Sequence, residues 1–426
     1  MKLNNQTVTY IFFFFLLTKN IIELWLERKN KYHILNNRDK VPERFDTVIS
    51  LEEHQKAADY SAAKITVSGF FHWIDLGVLL AWTFGGGFNY LQTFVEKFKL
   101  SPISEGVFYI AIFGAISTLL SVPQSLYSTF VIEERFGFNK MTLPLFFKDF
   151  IKGIVLGSAL GLPLIAALLW VMNSLGENWW IYGWILLTGF QFTLLWAYPR
   201  FIAPLFNKFS PMAEGDHKER VLSLLNRTGF TSNGLFVMDA SIRSSHGNAY
   251  FTGFGKNKRI VFFDTLLKTL EPNEVEAVLA HELGHFKKKH IGKQLFRAVI
   301  FSFIAFFLLG RLIDSQVFFN GHGIDFVKLH LALLLFSMVS GIYTFWMTPL
   351  SAFISRKYEF EADSFAAEYS QPESLISALV KLYKENASTL TPDPSYSAYY
   401  HSHPPALVRV KHLEALSSQN SVKGPL

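Results

Sequence analysis

The stretch Ile151–Met172 reads IKGIVLGSALGLPLIAALLWVM, and its only charged side chain is Lys152. A helix of this composition is apolar all round, so lipid rather than water is the solvent it suits. Working outward, six more segments read the same way: Val8–Leu26, Phe70–Phe94, Val107–Val131, Trp179–Pro199, Leu295–Phe318 and Leu329–Phe353. Each is near the ~20 residues that a spanning helix requires. The first is the least regular, because Thr18, Lys19 and Asn20 interrupt its phenylalanine-rich core. A cleaved signal peptide is the alternative there, but no small-residue cleavage site follows the core.

Composition agrees with a chain built for a bilayer. Half of the 426 residues are apolar, 44 of them Phe, and they are gathered in blocks rather than spread as amphipathic stripes. The formal charge of +6 does not point to nucleic acid, because no recognised motif accompanies it and much of the Lys and Arg sits in loops beside apolar blocks. The absence of Cys excludes disulfides and Cys-ligated metal, and this chain cannot itself be prenylated or palmitoylated on Cys.

Loop charge sets an expected orientation. Between Glu27 and Gly69 stand Arg28, Lys29, Lys31, Arg38, Lys40, Arg44, Lys56 and Lys64, and Arg135, Lys140 and Lys148 follow the third span. The loop before the third span has only Lys97 and Lys99, and Asn173–Asn178 has neither Lys nor Arg. This alternation predicts an outside N-terminus and a cytosolic C-terminus. The expected organisation is spans one to five with their loops in residues 1–199, a polar segment in 200–294, spans six and seven in 295–353, and a C-terminal polar segment in 354–426. Both polar segments then lie on the cytosolic side, where they can build one site.

The first polar segment opens with a helical stretch, Met212–Arg227, followed by β-rich runs at Leu235–Met238, Ala249–Phe254 and Ile260–Phe263. Gly255-Lys256-Asn257-Lys258 is a plausible hairpin turn between the last two. A helix then starts at Pro272 and runs over Val275–Lys289. It carries Ala280-His281-Glu282-Leu283-Gly284-His285. Residues four apart on a helix differ by roughly 40° in direction, so His281 and His285 can hold one ion. Glu282 is placed to take a proton from the attacking water rather than to bind metal.

His290 looks like a third ligand in the string, but nine steps of about 100° turn it to the opposite helix face. Beside Lys287, Lys288 and Lys289 it is expected to be a surface histidine. The third ligand is sought instead in Ser355–Asp363, where Glu359 and Asp363 are four apart and one can ligate while the other supports it. Glu361, about 200° from Glu359, is expected to face solvent.

Taken together, these motifs resemble the type I CAAX prenyl protease family of integral-membrane zinc peptidases. The resemblance rests on His281–His285, on Glu359-Phe360-x-Ala362-Asp363 and on Ser402-His403-Pro404-Pro405. It extends to Val131–Asn139, Asn248-Ala249-Tyr250 and Lys258–Leu266, and so covers nearly the whole chain. It implies seven spans forming an intramembrane chamber, joined to a small α+β zinc metalloprotease domain, with one Zn2+ per chain held by His281, His285 and Glu359. Asp363 and Arg409 become candidate supports behind the ligands. Asn248, on a strand able to pair with substrate, and His403, fixed by the following prolines, become candidates for holding the carbonyl and the oxyanion.

The implied reaction removes the last three residues after a prenylated cysteine. Its partners are a peptide or protein substrate and the lipid bilayer, in the endoplasmic reticulum of a eukaryote or the inner membrane of a bacterium. Two rival readings remain: a broader membrane quality-control protease, and a non-catalytic scaffold with structural zinc. The second is disfavoured because structural sites are normally closed by four protein ligands.

Overall fold

The computed structural model describes residues 4–252 and 259–423. Seven helices among them are long and apolar enough to cross a membrane: Asn5–Asn36, Leu51–Trp82, Pro102–Glu133, Leu143–Ser174, Gly176–Phe206, His290–Leu312 and Leu329–Tyr369. Large apolar side chains such as Phe14, Phe70, Trp73, Val155 and Phe296 are exposed on them. On a water-soluble monomer so many would be a liability, whereas lipid accepts them. A second set, including Phe12, Tyr109, Leu169, Phe319 and Leu335, packs inward and holds the spans together.

Six of the spans run longer than the apolar runs suggest, the sixth is shifted to His290–Leu312 with Phe318 in a separate short helix, and the second is displaced from Phe70–Phe94. Its helix starts at Leu51, where Ser50 and Glu53 form a capping box, and stops at Trp82. Gly86 then takes a left-handed φ of 76°, and a separate helix covers Gly87–Glu96. Hydropathy alone runs across this turn, because the residues on both sides of it are apolar. The earlier start places Lys56 and Lys64, read as loop charges, inside the helix together with Tyr60.

The polar segments fold as one unit around a four-stranded sheet. Strands β1 (Phe209–Pro211), β2 (Leu235–Met238), β3 (Ala249–Thr252) and β4 (Arg259–Phe263) lie in the order β1-β2-β4-β3. β4 pairs parallel with β2 and antiparallel with β3, so β3 is an edge strand. The expected turn at 255–258 lies outside the described residues. Phe262 on β4 joins Val221, Leu224, Val275, Leu279, Ala366 and Leu375 in the core beneath the sheet.

Two helices carry the chemistry. The metal helix, Pro272–Lys287, is opened by a capping box between Glu271 and Glu274 with Pro272 in its first turn. The carboxylate helix, Thr348–Tyr369, continues the last span through a short 3-10 turn at Phe345–Met347. They approach closely at Gly284, where an added Cβ would stand 2.9 Å from Ala362 Cα. Only glycine permits that approach.

Candidate active site

His281 and His285 project from the metal helix towards Glu359 on the carboxylate helix. The two Nε2 atoms are 3.2 Å apart, His285 Nε2 is 3.3 Å from Glu359 Oε1, and His281 Nε2 is 3.5 Å from Glu359 Oε2. Bonds of about 2.0–2.1 Å to a tetrahedral ion require donor atoms roughly 3.3–3.4 Å apart, so the three side chains match zinc in spacing as well as in chemistry. Glu359 Oε2 is buried without a hydrogen-bond partner, its nearest permanent cation being Arg409 Nη1 at 3.6 Å, so a metal ligand role would satisfy it. Among the described residues this is the one group of three ligand-type side chains able to hold a metal ion.

Behind the ligands stand groups that fix their orientation. Asp363 is fully buried, and its Oδ1 lies 2.8 Å from His281 Nδ1. A carboxylate only accepts, so Nδ1 carries the proton and Nε2 is left free to ligate. Arg409 pairs with Asp363 in two-pronged fashion, donating from Nε to Oδ2 at 3.0 Å and from Nη2 to Oδ1 at 2.5 Å. Burial and the Arg409 charge push the His281 pKa down, but hydrogen bonds to Asp363 and Glu359 outweigh them and raise it to about 9 in the metal-free protein. An incoming cation therefore displaces a proton from this imidazole.

The expectation for His290 is corrected by the fold, and that for Glu361 is incomplete. His290 is buried at 1% exposure, and its Nδ1 accepts from the Nδ1–H of His285 at 3.0 Å. Its Nε2 donates to Glu361 Oε2 at 3.0 Å, and its ring stacks on Tyr358 with centroids 4.1 Å apart. Glu361 thus pairs with His290 while its side chain stays 31% exposed, so the expected solvent-facing charge is also a buried histidine's partner. The helical wheel failed because Lys289 adopts a left-handed φ of 58°, ending one helix and re-aiming the next. The sequence signal was a third histidine shortly after the pair, but its direction depended on that one residue.

The remaining candidates gather at the same place. His403 Nε2 lies 3.4 Å from Glu359 Oε1, and its Nδ1 is 3.0 Å from Ser402 Oγ. Its side chain is 63% exposed and lines a chamber. Burial in that setting lowers its pKa, with help from Arg409, His281 and His285 and against the pull of Glu359. The segment carrying it is anchored by Arg356, which donates to the carbonyls of Ser397, Ala398 and His401. Asn248 is exposed just before β3; its Oδ1 accepts from Ala249 N–H at 2.8 Å.

Glu282, Asn248, His281 and His403 all line one chamber of about 1100 Å3. Its opposite wall comes from the spans, through residues such as Asn30, Tyr60, Lys64, Gln124 and Ile132. A water or peptide bond beside His281 is therefore reached from a hollow shared by the sheet domain and the membrane helices.

Comparison with known proteins gives this arrangement a family. Residues 31–208 match the family described as CAAX prenyl protease N-terminal, five membrane helices, and residues 211–417 match peptidase family M48. A CAAX prenyl protease 1 homolog of Arabidopsis thaliana is 35% identical over 390 residues, covering 88% of this chain and 90% of that protein. CAAX prenyl protease 1 of Saccharomyces cerevisiae is 33% identical over 406 residues, covering 89% and 90%. The crystal structure of S. mikatae Ste24p superposes with a TM-score of 0.89 at 31% identity, over 96% of this chain and 99% of that one. With the matched domains spanning most of its length, the chain belongs to the M48 peptidases of the CAAX prenyl protease type and is a multi-pass membrane metalloprotease.

Proposed function

We propose that this protein is a zinc endopeptidase that removes the C-terminal tripeptide from prenylated Cys-a-a-X substrates. The observation that carries the reading is the convergence of His281, His285 and Glu359 at a chamber lined by His281, Glu282 and residues of the membrane-spanning helices. The names borne by relatives that match over most of their length support the substrate class.

His281, His285 and Glu359 would hold one zinc ion per chain, and a bound zinc would supply Lewis-acid polarisation of water and the scissile carbonyl. Glu282 accepts the proton of the attacking water and returns it to the leaving amine. Asn248 orients the carbonyl, and His403, whose lowered pKa leaves it neutral near pH 7, donates a hydrogen bond to the developing oxyanion. Asp363 and Arg409 keep His281 in the ligating tautomer. The distribution of loop charges supports a site facing the cytosol, and the family resemblance supports the endoplasmic reticulum membrane of a eukaryote or the inner membrane of a bacterium as its setting.

The test is hydrolysis of a farnesylated peptide ending in Cys-a-a-X by detergent-purified protein, beside its unprenylated twin, with a chelator and Glu282→Gln as controls. The reading expects chelator-sensitive cleavage confined to the prenylated peptide, lowered about 10²–10⁴-fold in Glu282→Gln with zinc retained. Equal cleavage of both peptides would move the role to general membrane proteolysis. Full activity in Glu282→Gln would remove that carboxylate from the mechanism.

A further inference from the structure

Lys64 stands within the second span, about 20 Å along the helix from Leu51. An ammonium among apolar spans is costly unless it reaches water or meets an anion. Lys64 lines the chamber, and among the described lining residues it is the one lysine. The other permanent cation there, Arg409, is committed to Asp363. Lys64 Nζ donates to the Tyr60 hydroxyl at 3.4 Å and lies 4.7 Å from that ring's centroid. Among the described residues it has no carboxylate at ion-pair distance. Glu133, the acid nearby, interacts with Lys64 through charge but not at contact; it is held by Tyr60, whose hydroxyl donates to Oε1 at 2.5 Å, and by His246, whose Nε2 is 3.4 Å from Oε2.

The same contacts tie Lys64 to the edge strand. His246 Nδ1 and Gly247 N–H both donate to Asn386 Oδ1 at 3.2 Å, which fixes the backbone leading into Asn248 and β3. β3 runs from Ala249 to Thr252, and its outer edge pairs with no strand among the described residues. A substrate added antiparallel to that edge runs in the opposite direction. Its C-terminal residues then pass Asn248 and continue towards His246, Glu133, Tyr60 and Lys64. Three extended residues reach about 10 Å. Contacts of 3.4, 2.5 and 3.4 Å across one carboxylate link His246 Nε2, beside the approach to β3, to Lys64 Nζ.

The substrate class proposed above ends in a free α-carboxylate three residues beyond the cut bond, and a carboxylate entering a low-dielectric chamber needs a cation. We propose that Lys64 binds this terminal carboxylate and so sets the distance from the chain end at which the peptide bond is cut. The inference rests on the prenyl-substrate reading, and it makes Lys64 a specificity-determining residue rather than part of the proton transfer.

The experiment compares one farnesylated Cys-a-a-X peptide as the free acid and as the C-terminal amide, with wild type, Lys64→Gln and Lys64→Arg, each checked for zinc content. Wild type is expected to prefer the acid by about 10–100-fold in kcat/KM, mostly through KM, as loss of a charged hydrogen bond implies. Lys64→Gln is expected to cut acid and amide at similar kcat/KM, and Lys64→Arg to restore a preference for the acid. Equal use of acid and amide by wild type would overturn the anchor while leaving the prenyl-substrate reading intact. So would a wild-type preference persisting in Lys64→Gln. Cleavage of neither peptide by wild type would refute the substrate reading and the anchor with it.

Discussion

Gly284→Ala should loosen the metal without unfolding the protein. The new Cβ would stand 2.9 Å from Ala362 Cα, 3.0 Å from Phe365 Cβ and 3.1 Å from Ala362 O, whereas ordinary contacts begin at 3.4 Å. Two of those neighbours are backbone atoms, so no side chain can swing away, and the metal and carboxylate helices must separate by about 0.5–1 Å. In stability the net cost is about 0–2 kcal/mol: overpacking costs about 1–3 kcal/mol, and replacing a helical Gly by Ala returns about 1 kcal/mol. The ligands have no such compensation. Glu359 now lies 3.3 and 3.5 Å from the two imidazole nitrogens, and the separation would carry it towards 4 Å, beyond what bonds of about 2.0–2.1 Å can span. Sites tolerate about 0.5 Å of such error, so zinc affinity should fall about 10–100-fold. Chelator competition on detergent-purified protein reads this directly, with a thermal melt to confirm folding. Gly292→Ala is the control, because nothing lies within 4 Å of its added Cβ. A folded Gly284→Ala protein with wild-type zinc affinity would refute the claim that this contact sets the ligand spacing.

His290→Ala should weaken zinc binding about 10–100-fold by freeing His285 from its buried partner, and Glu361→Gln should act in the same direction but less, since an amide still accepts from His290 Nε2. Unchanged zinc affinity in His290→Ala would make that histidine mere packing. Glu274, buried at the start of the metal helix, accepts from Lys381, Ser377 and the Glu271 backbone. Burial alone would raise its pKa, but these partners hold it below 4.5. Its stabilisation is therefore complete above about pH 4.5 and disappears as pH falls through the lower folded value. Glu274→Gln should cost about 2 kcal/mol at pH 7, a low figure because Lys381 is 35% exposed. The gap in melting temperature from wild type should narrow below pH 4.5; a gap independent of pH would exclude the charge as its source.

The sequence by itself determined the spans and the two histidines of the metal helix. Long apolar blocks have no stable alternative to membrane helices, and a spacing of four on a helix fixes relative direction within one turn. Both are local consequences of chain geometry. Local geometry failed wherever one backbone turn redirected the chain. The second span stopped at Trp82 inside an apolar run, with Gly86 starting a separate helix, and Lys289 turned His290 inward; the left-handed φ of Gly86 and of Lys289 is something hydropathy and a helical wheel do not contain. Spacing made Glu359 and Asp363 equivalent candidates; their division of labour follows from how the carboxylate helix docks at Gly284, which faces Glu359 to both imidazoles and Asp363 to Arg409. The chamber is tertiary in the same sense. Asn248, Lys64, Glu282 and His403 lie far apart along the chain, and only packing the sheet domain against the spans makes them walls of one cavity.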